Sequence, residues 1–114
     1  MVSKWEIYLC YLDPAEGSEQ KGTRPVLVIS TDNVNHNLPI STVLPLSSIK
    51  PTDKIYPTEV ILETCVSGLS KPSVAMLQQI RTVSHRRLTK LLSKINDEAT
   101  KARLQDACRA YFDL

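Results

Sequence analysis

Residues 5–12 carry the first regular pattern in the chain, an alternation of side chains with a period of two. One face of this segment holds Trp5, Ile7, Leu9 and Tyr11. A period of two is typical of a β-strand, and Asp13-Pro14 is a signal for its end. Because the opposite face has few polar residues, we expect that face to be covered too, for example by a partner subunit.

Shorter apolar segments predict further strands later in the chain. They are approximately Pro25–Ile29, Ile40–Leu46, Thr58–Glu63, Ser73–Leu77 and Gln79–Val83. The unbroken aliphatic run after Pro25 predicts a strand that is buried on both faces. Pro45 has no N–H to donate, so we expect the strand that contains it to end there or to lie at an edge.

Polar segments separate these strands, and one helix follows them. Residues 13–24 and 31–39 are loops by composition. Ser84 is placed to cap a short helical turn that runs through Leu88. Asn96 is the predicted N-cap of the last helix. Its apolar stripe, which we expect to pack on the sheet, consists of Leu104, Ala107, Cys108, Tyr111 and Phe112.

Many short strands followed by one helix predict a mainly β, α+β fold, with a small curled sheet of antiparallel strands. The chain has 114 residues and shows no internal repeat or linker, so we expect a single domain over residues 1–114.

The amino-acid composition limits the kinds of functional site that we expect in this chain. The net charge is only +2, so any nucleic-acid surface must come from an uneven distribution of charge. Cys10, Cys65 and Cys108 are odd in number and widely spaced, which argues against a disulfide framework or a zinc site. We expect them to be small buried side chains in a reducing compartment. The sequence has no HExxH motif and no paired metal ligands, so we expect no cofactor and no metal.

Two sequence features that direct proteins to membranes or out of the cell bear on the expected location. No apolar run reaches the length of about 20 residues that a membrane span needs. The first residues do not resemble a signal peptide. We therefore expect a cytoplasmic protein that does not contact a membrane.

The segment from Gly17 to Ser30 joins a polar, glycine-containing loop directly to an aliphatic strand. Arg24 lies at the junction, and the following Pro25 pushes it towards extended backbone. A guanidinium at the edge of a rigid strand is suited to hold a phosphate, because its planar donors match phosphate oxygens. The alternative is a surface arginine in a β-hairpin.

This segment, GSEQKGTRPVLVIS, resembles the signature of the MazF/PemK/Kid family of toxins from bacterial toxin–antitoxin pairs. The similarity continues, in the order and spacing of the family, through Leu44–Ser48, Tyr56–Val60 and Gln78–Val83. The resemblance implies an SH3-like barrel of the CcdB/PemK type with a C-terminal helix. It also implies a homodimer with an RNA groove at or near the dimer interface.

The resemblance further implies a sequence-specific, metal-independent and ribosome-independent endoribonuclease that cuts single-stranded RNA and halts translation. Cleavage through the neighbouring 2′-hydroxyl would leave a 2′,3′-cyclic phosphate and a 5′-hydroxyl. A cognate antitoxin with an extended or helical acidic tail would block the groove.

Two residues match the catalytic positions of the family. Arg24 matches the catalytic arginine, and we assign it charge stabilisation, because its pKa is too high for a general base. Ser47 matches the position where many relatives have a catalytic threonine, and Ser48 would replace it if the register differed by one. From the residues alone, hydrogen bonding in a turn is the favoured interpretation of both serines.

The residue that removes the 2′-proton is not identified. Glu19 is either a candidate base or an RNA contact, and a solvated loop carboxylate is the alternative. We expect His36 and His85 to be solvated loop residues.

An RNA groove on this chain would combine cations, one aromatic side chain for base stacking and polar side chains that read base edges. The predicted RNA-binding residues are Ser18, Glu19, Gln20, Lys21, Ser48, Lys50, Lys54, Tyr56, Pro57 and Gln79.

Two other functions are compatible with the same fold. One is a non-enzymatic toxin that binds DNA gyrase, although such relatives use a C-terminal tripeptide with a tryptophan, and this chain ends Phe112-Asp113-Leu114. The other is an inactive RNA-binding relative, in which Ser47 has replaced the catalytic threonine of the family with loss of activity.

Overall fold

The computed structural model describes residues 1–49 and 54–114, which form seven strands and three helices. The strands are β1 (Glu6–Tyr11), β2 (Thr23–Val28), β3 (Ile40–Ser48), β4 (Glu59–Leu62), β5 (Ser73–Met76), β6 (Arg81–Ser84) and β7 (Leu88–Lys94). The helices are α1 (Asp32–Asn35), α2 (Thr64–Ser67) and α3 (Glu98–Phe112). Single 3-10 turns at Leu77–Gln79 and His85–Arg87 connect the last strands.

All strand pairings among the described residues are antiparallel, in the order β4-β5-β3-β2-β1-β7, with β6 paired to β3. The mainly β fold with a C-terminal helix is therefore confirmed. The sheet is not closed into a barrel, because β4 and β7 are edge strands in the part of the chain that the structure describes.

Strand β3 is the centre of the sheet and changes neighbours along its length. Its first part, from Ile40 to Val43, pairs with β6, and its last part, from Leu46 to Ser48, pairs with β5. The prediction that the strand ends or is at an edge at Pro45 was wrong, because Pro45 is buried and pairs with Val26 of β2. Pro45 is tolerated there because it lies between the β6-paired and β5-paired stretches.

Two apolar clusters cover the two faces of the central strands. One cluster, which includes Leu27 and Leu44, packs against α3 through Leu104 and Ala107. The other consists of Val2, Cys10, Leu12, Val26, Val28, Val43 and Val83. Alternation along β2 explains the division, since Val26 and Val28 point to one face and Leu27 to the other. The second face of β1 is thus covered by this same chain.

Helix α3 begins one residue later than the sequence suggested. The N-cap is Asp97 rather than Asn96, because the Asp97 carboxylate accepts a hydrogen bond of 2.9 Å from the backbone N–H of Thr100. Leu104 and Ala107 of the predicted stripe are buried, and Cys108 is half-buried.

The buried part of the apolar stripe ends earlier than predicted. Tyr111 and Phe112 are 39% and 52% exposed, and their rings pack edge to face with centroids 5.0 Å apart. The helix continues past the apolar cluster that buries its middle, and no described residue of that cluster packs against the rings of its last turn.

The sequence patterns did not predict three short elements, namely α1, α2 and β7. Residues 31–39 contain α1, where the carboxylate of Asp32 accepts from the backbone N–H of Lys4 at 2.7 Å. Helix α2 ends at Gly68, whose φ of +73° suits glycine. Strand β7 shows no strict alternation, because its register with β1 shifts at two points. The predicted cap at Ser84 is confirmed, since its hydroxyl accepts from the N–H of Arg86.

Candidate active site

Strand register places Arg24 and Ser47 together. Arg24 pairs with Cys10 of β1, and on the other side of β2 the pairing with β3 runs as far as Val26 and Pro45. Continuing that antiparallel register by two residues puts Arg24 opposite Ser47 on the same face of the sheet. Ser48 alternates to the other face and pairs with Ser73 of β5.

The two serines also differ in exposure. Ser47 is half-buried and pairs with Val74 of β5, whereas Ser48 is exposed. This arrangement favours Ser47 over Ser48 as the hydroxyl that acts with Arg24.

The side chain of Arg24 is half-buried and is oriented by the loop that precedes it. Its Nε donates a hydrogen bond of 3.0 Å to the backbone carbonyl of Lys21. No carboxylate of a described residue lies within 4.0 Å of its guanidinium. The terminal nitrogens of Arg24 donate no hydrogen bond to a described residue, so they are available for an anion.

The β1–β2 loop, residues 12–22, is held closed at its base. The N–H of Leu12 donates to the carbonyl of Gly22 at 2.9 Å, and the N–H of Gly22 donates to the Asp13 carboxylate at 3.0 Å. Gly22 has a φ of +75°, which a side chain would strain. The Glu19 carboxylate accepts from the N–H of Glu16 at 2.6 Å and is otherwise exposed, so it remains accessible to solvent.

The tip of this loop is tied to the turn between β5 and β6 by one side chain. The amide Nε2 of Gln79 donates to the carbonyl of Ser18 at 2.9 Å, and its Oε1 accepts from the N–H of Gln20 at 3.1 Å. Gln79 thus holds the loop in place, and its role as a base reader stays a prediction. Ser18 and Lys21 are exposed beside it.

A recess of about 110 Å³ lies between the loop and this turn. Its lining includes Gln20, Pro45, Gln78 and Arg81. The Oε1 of Gln20 is buried and has no hydrogen-bond partner among the described residues. A buried acceptor without a donor is costly, so the recess is suited to a ligand that brings a donor.

The segment that contains Tyr56 and Pro57 reaches the same recess through Gln78. The amide of Gln78 donates to the Glu59 carboxylate at 2.8 Å, and that carboxylate accepts from the N–H of Tyr56 at 2.9 Å. Tyr56 is 51% exposed, and the ammonium of Lys54 lies 5.5 Å from its ring centroid. Pro57 is exposed as well. Lys50, also predicted to bind RNA, lies outside the described residues.

Two further arginines flank the base of the loop. Arg81 Nη1 donates to the carbonyl of Leu12 at 3.0 Å, and Arg87 Nη1 donates to the carbonyls of Tyr11 and Asp13. Burial raises the pKa of the Cys10 thiol beneath them, while the charges of Arg81 and Arg87 oppose this shift.

The histidines lie in other parts of the fold. His36 is exposed, with Nε2 3.2 Å from the Ser3 hydroxyl. His85 is half-buried, and its Nε2 lies 2.8 Å from the hydroxyl of the buried Ser41, so the expectation of a solvated loop residue was wrong for His85. It follows Ser84, which pairs with Ile40, whereas Ser47 lies at the other end of β3.

Other candidate features give no chemistry at the site. All three cysteines are free thiols, and Cys65 is exposed, contrary to expectation. Residues 1–49 and 54–114 contain no group of His, Cys, Asp and Glu able to hold a metal ion, and no helix long and apolar enough to cross a membrane. A larger cavity of about 540 Å³ lies between β4 and α3, away from Arg24.

Comparison with known proteins identifies the family of the chain. Residues 3–110 match the family described as PemK-like, MazF-like toxins of type II toxin–antitoxin systems. The chain belongs to the PemK/MazF toxin family. It is 38% identical over 101 residues to Endoribonuclease MazF of Staphylococcus saprophyticus, covering 89% of this chain and 83% of that protein.

Solved structures of PemK/MazF proteins share the fold. Mycobacterium tuberculosis toxin MazF-mt6 matches with a TM-score of 0.78 and 27% identity, over 96% of this chain and 97% of that one. A mycobacterial endoribonuclease in complex with its cognate antitoxin matches with a TM-score of 0.77 and 20% identity, over 100% of this chain and 97% of that one.

Sequence reasoning did not single out Gln78, Arg81 or Arg87, which the structure brings to the recess or to the base of the β1–β2 loop. Gln78 and Arg81 lie in one of the segments that carried the family resemblance, but only Gln79 was singled out there. For Arg87 the available signal was the distribution of charge, because residues 81–94 contain no Asp or Glu.

Proposed function

We propose that this protein is the endoribonuclease toxin of a type II toxin–antitoxin system and cuts single-stranded mRNA at a short sequence. Family membership and 38% identity to an endoribonuclease support the activity. The assignment of the site to Arg24 and Ser47 is supported by an Arg24 guanidinium that no carboxylate of a described residue approaches, and by the β2–β3 register, whose continuation by two residues brings Arg24 and Ser47 opposite each other.

The reaction that suits these groups is transesterification at phosphorus. The 2′-hydroxyl oxygen attacks the adjacent phosphorus and loses its proton, and the P–O5′ bond breaks. The 5′-oxygen takes up a proton, so the products are a 2′,3′-cyclic phosphate and a 5′-hydroxyl. Arg24 stabilises the charge that develops on the non-bridging oxygens. Ser47 orients the scissile phosphate or the 2′-hydroxyl, and Glu19 is the candidate carboxylate for proton transfer.

Substrate recognition uses the recess and its rim. The free Oε1 of Gln20 accepts from a base that offers an amino or imino donor. Tyr56 stacks on a second base, and Lys21 and Lys54 supply charge. Ser18, Ser48, Lys50, Pro57 and Gln79 remain predicted contacts of the same groove.

Partners follow from the family. The mycobacterial relative is described in complex with its cognate antitoxin, and we propose that an antitoxin likewise blocks this groove. We also propose a homodimer, a single functional domain over residues 1–114 and a cytoplasmic location.

The test is incubation of purified protein with mixed-sequence single-stranded RNA in excess EDTA and without ribosomes. Arg24→Ala is the inactive variant. Arg109→Ala is the matched control, because Arg109 lies on α3 in an exposed pair with Asp106. We expect discrete cuts with 5′-hydroxyl ends from the wild type and from Arg109→Ala, and intact RNA with Arg24→Ala.

Each other outcome contradicts part of the proposal. Intact RNA from folded wild-type protein would exclude the nuclease and direct attention to gyrase binding or to an inactive relative. Cuts that persist in Arg24→Ala would keep the nuclease but place its active site elsewhere.

A further inference from the structure

Arg81 and Arg87 both donate hydrogen bonds to the same short stretch of backbone, residues 11–13. Arg87 donates to the carbonyls of Tyr11 and Asp13, and Arg81 donates to the carbonyl of Leu12 between them. Arg81 belongs to β6 and Arg87 to the turn before β7, so two separate elements bring their guanidinium groups to the start of the β1–β2 loop.

Neither guanidinium is neutralised by the protein part that the structure describes. No carboxylate of residues 1–49 or 54–114 lies within 4.0 Å of either one. Both are half-buried, and they donate to the carbonyls of three consecutive residues, so the two guanidinium groups lie close together at the start of the β1–β2 loop. Two half-buried like charges near each other repel, and a bound anion would relieve that repulsion.

The donors that remain are suited to such an anion. Each arginine uses only Nη1 in the hydrogen bonds found among the described residues, so Nε and Nη2 of both are available. Cys10, beneath them, pairs with Arg24 across β1 and β2. The vacant donors thus lie next to the arginine assigned to the scissile phosphate.

We propose that Arg81 and Arg87 bind a second phosphate of the RNA, a neighbour of the scissile phosphate that Arg24 holds. This inference rests on the proposed nuclease function. Contacts to the backbone fix the register of a nucleic acid without reading its sequence. The pair therefore determines which phosphodiester reaches Arg24, while the recess that contains Gln20 reads the bases.

The experiment combines arginine variants with RNA in which single phosphates are neutral. The probe is a short RNA that contains the cleavage sequence found above, with a 2′-O-methyl group at the cut so that binding is measured without cleavage. Methylphosphonate is placed at one phosphate at a time. Binding is measured by fluorescence anisotropy for wild type, Arg81→Gln, Arg87→Gln and the charge-matched control Arg109→Gln.

We expect one non-scissile position at which methylphosphonate weakens wild-type binding roughly tenfold, as loss of a hydrogen-bonded charge contact predicts. The same methylphosphonate should weaken RNA binding by Arg81→Gln and Arg87→Gln much less, because these variants have already lost the contact to that phosphate. These variants should also show a shallower salt dependence, with the slope of log K against log salt reduced by about 0.7. Arg109→Gln should behave as the wild type.

Three results would overturn the inference. Additive effects of methylphosphonate and arginine variants at every position would do so. So would wild-type binding that is insensitive to every non-scissile methylphosphonate, a measurement that needs no variant to fold. Loss of poly-glutamate binding in Arg81→Gln and Arg87→Gln, with RNA binding intact, would instead assign the pair to an acidic protein partner.

Cleavage of all-ribose RNA separates this inference from the proposed function. Normal wild-type cleavage without coupling to Arg81 or Arg87 would remove only the second phosphate site. A wild-type protein that neither binds nor cuts RNA would remove both. Arg87→Lys keeps the charge but not the planar set of donors, and we expect it to recover the salt dependence while binding more weakly than wild type.

Discussion

The side-chain amide of Gln79 donates a hydrogen bond of 2.9 Å to the backbone carbonyl of Ser18, 61 positions earlier in the chain. Its Oε1 simultaneously accepts from the N–H of Gln20. One side chain on the turn between β5 and β6 thus satisfies two backbone groups of the loop that leads to Arg24. The loop is ordered by the sheet, which gives a binding site a rigid support.

Gln79→Glu should loosen this loop. The carboxylate can still accept from Gln20, but it cannot donate to Ser18, and two acceptors then face each other. Lys21 in the same loop is exposed and offers a trypsin site. We expect native-state trypsin cleavage after Lys21 to be faster in Gln79→Glu than in the wild type.

Gln105→Glu on α3 makes the same chemical change on an exposed surface, so it is the control. Equal trypsin rates in the two variants would show that the amide of Gln79 does not restrain the loop. We also expect RNA cleavage to fall in Gln79→Glu but not in Gln105→Glu.

Ser47 and Ser48 are distinguished by alternation along β3. The β2–β3 register, continued by two residues, puts Ser47 on the face of Arg24, and Ser48 alternates to the opposite face, where it pairs with Ser73. Ser47→Ala should lower kcat for RNA cleavage about a hundredfold, as removal of a transition-state donor does. Ser47→Thr should keep most activity, and Ser48→Ala should be close to wild type.

Kinetics of these three serine variants on one RNA provide the measurement. A larger loss in Ser48→Ala than in Ser47→Ala would mean that the register of β2 and β3 does not continue past Val26. Equally small losses of kcat in both variants would show that the two serines only form hydrogen bonds in the turn.

The fold was predictable where local pattern and tertiary packing agree. Alternation in β1 and the aliphatic run of β2 gave the centre of the sheet, because both depend on burial that the sequence encodes directly. Strand β7 was not found, because its register with β1 is interrupted and Leu91 is exposed. Helix α1 depends on the distant contact between Lys4 and Asp32, which no local pattern contains.

The site divides in the same way. Arg24 and Ser47 were predicted from their positions in recognisable segments, and the continued register of β2 and β3 is consistent with their acting together. The restraint by Gln79 and the placement of Arg81 and Arg87 depend on contacts with backbone far away in sequence. Backbone carbonyls are present at every residue, so a sequence does not indicate which of them a side chain will contact.

Asp97 gives a prediction about pH. Hydrogen bonds from the Thr100 side chain, and then from its backbone N–H, lower the pKa of Asp97 in the folded state. A lowered folded pKa means that the carboxylate stabilises α3 above its unfolded pKa near 4, and that this contribution is lost as the pH falls through the folded pKa. Asp97→Ala should lower Tm by several degrees at neutral pH, and the difference should shrink in acid.

Thermal melts between pH 7 and pH 2 test this expectation. Asp106→Ala is the control, because Asp106 lies inside α3 in an exposed pair with Arg109 that contributes little. A difference between the wild type and Asp97→Ala that stays constant down to pH 2 would show that the ionised carboxylate does not cap the helix.

Leu104 and Phe112 lie on one stripe of α3 but should respond differently to truncation. Leu104 is 1% exposed within the apolar cluster, so Leu104→Ala should cost about 2–5 kcal/mol of unfolding free energy. Phe112 is 52% exposed, so Phe112→Ala should change the free energy of unfolding by less than about 1 kcal/mol. Urea unfolding at several protein concentrations tests both values. A loss in Phe112→Ala that rivals Leu104→Ala and depends on protein concentration would contradict this prediction, because it requires a partner subunit that covers the end of α3.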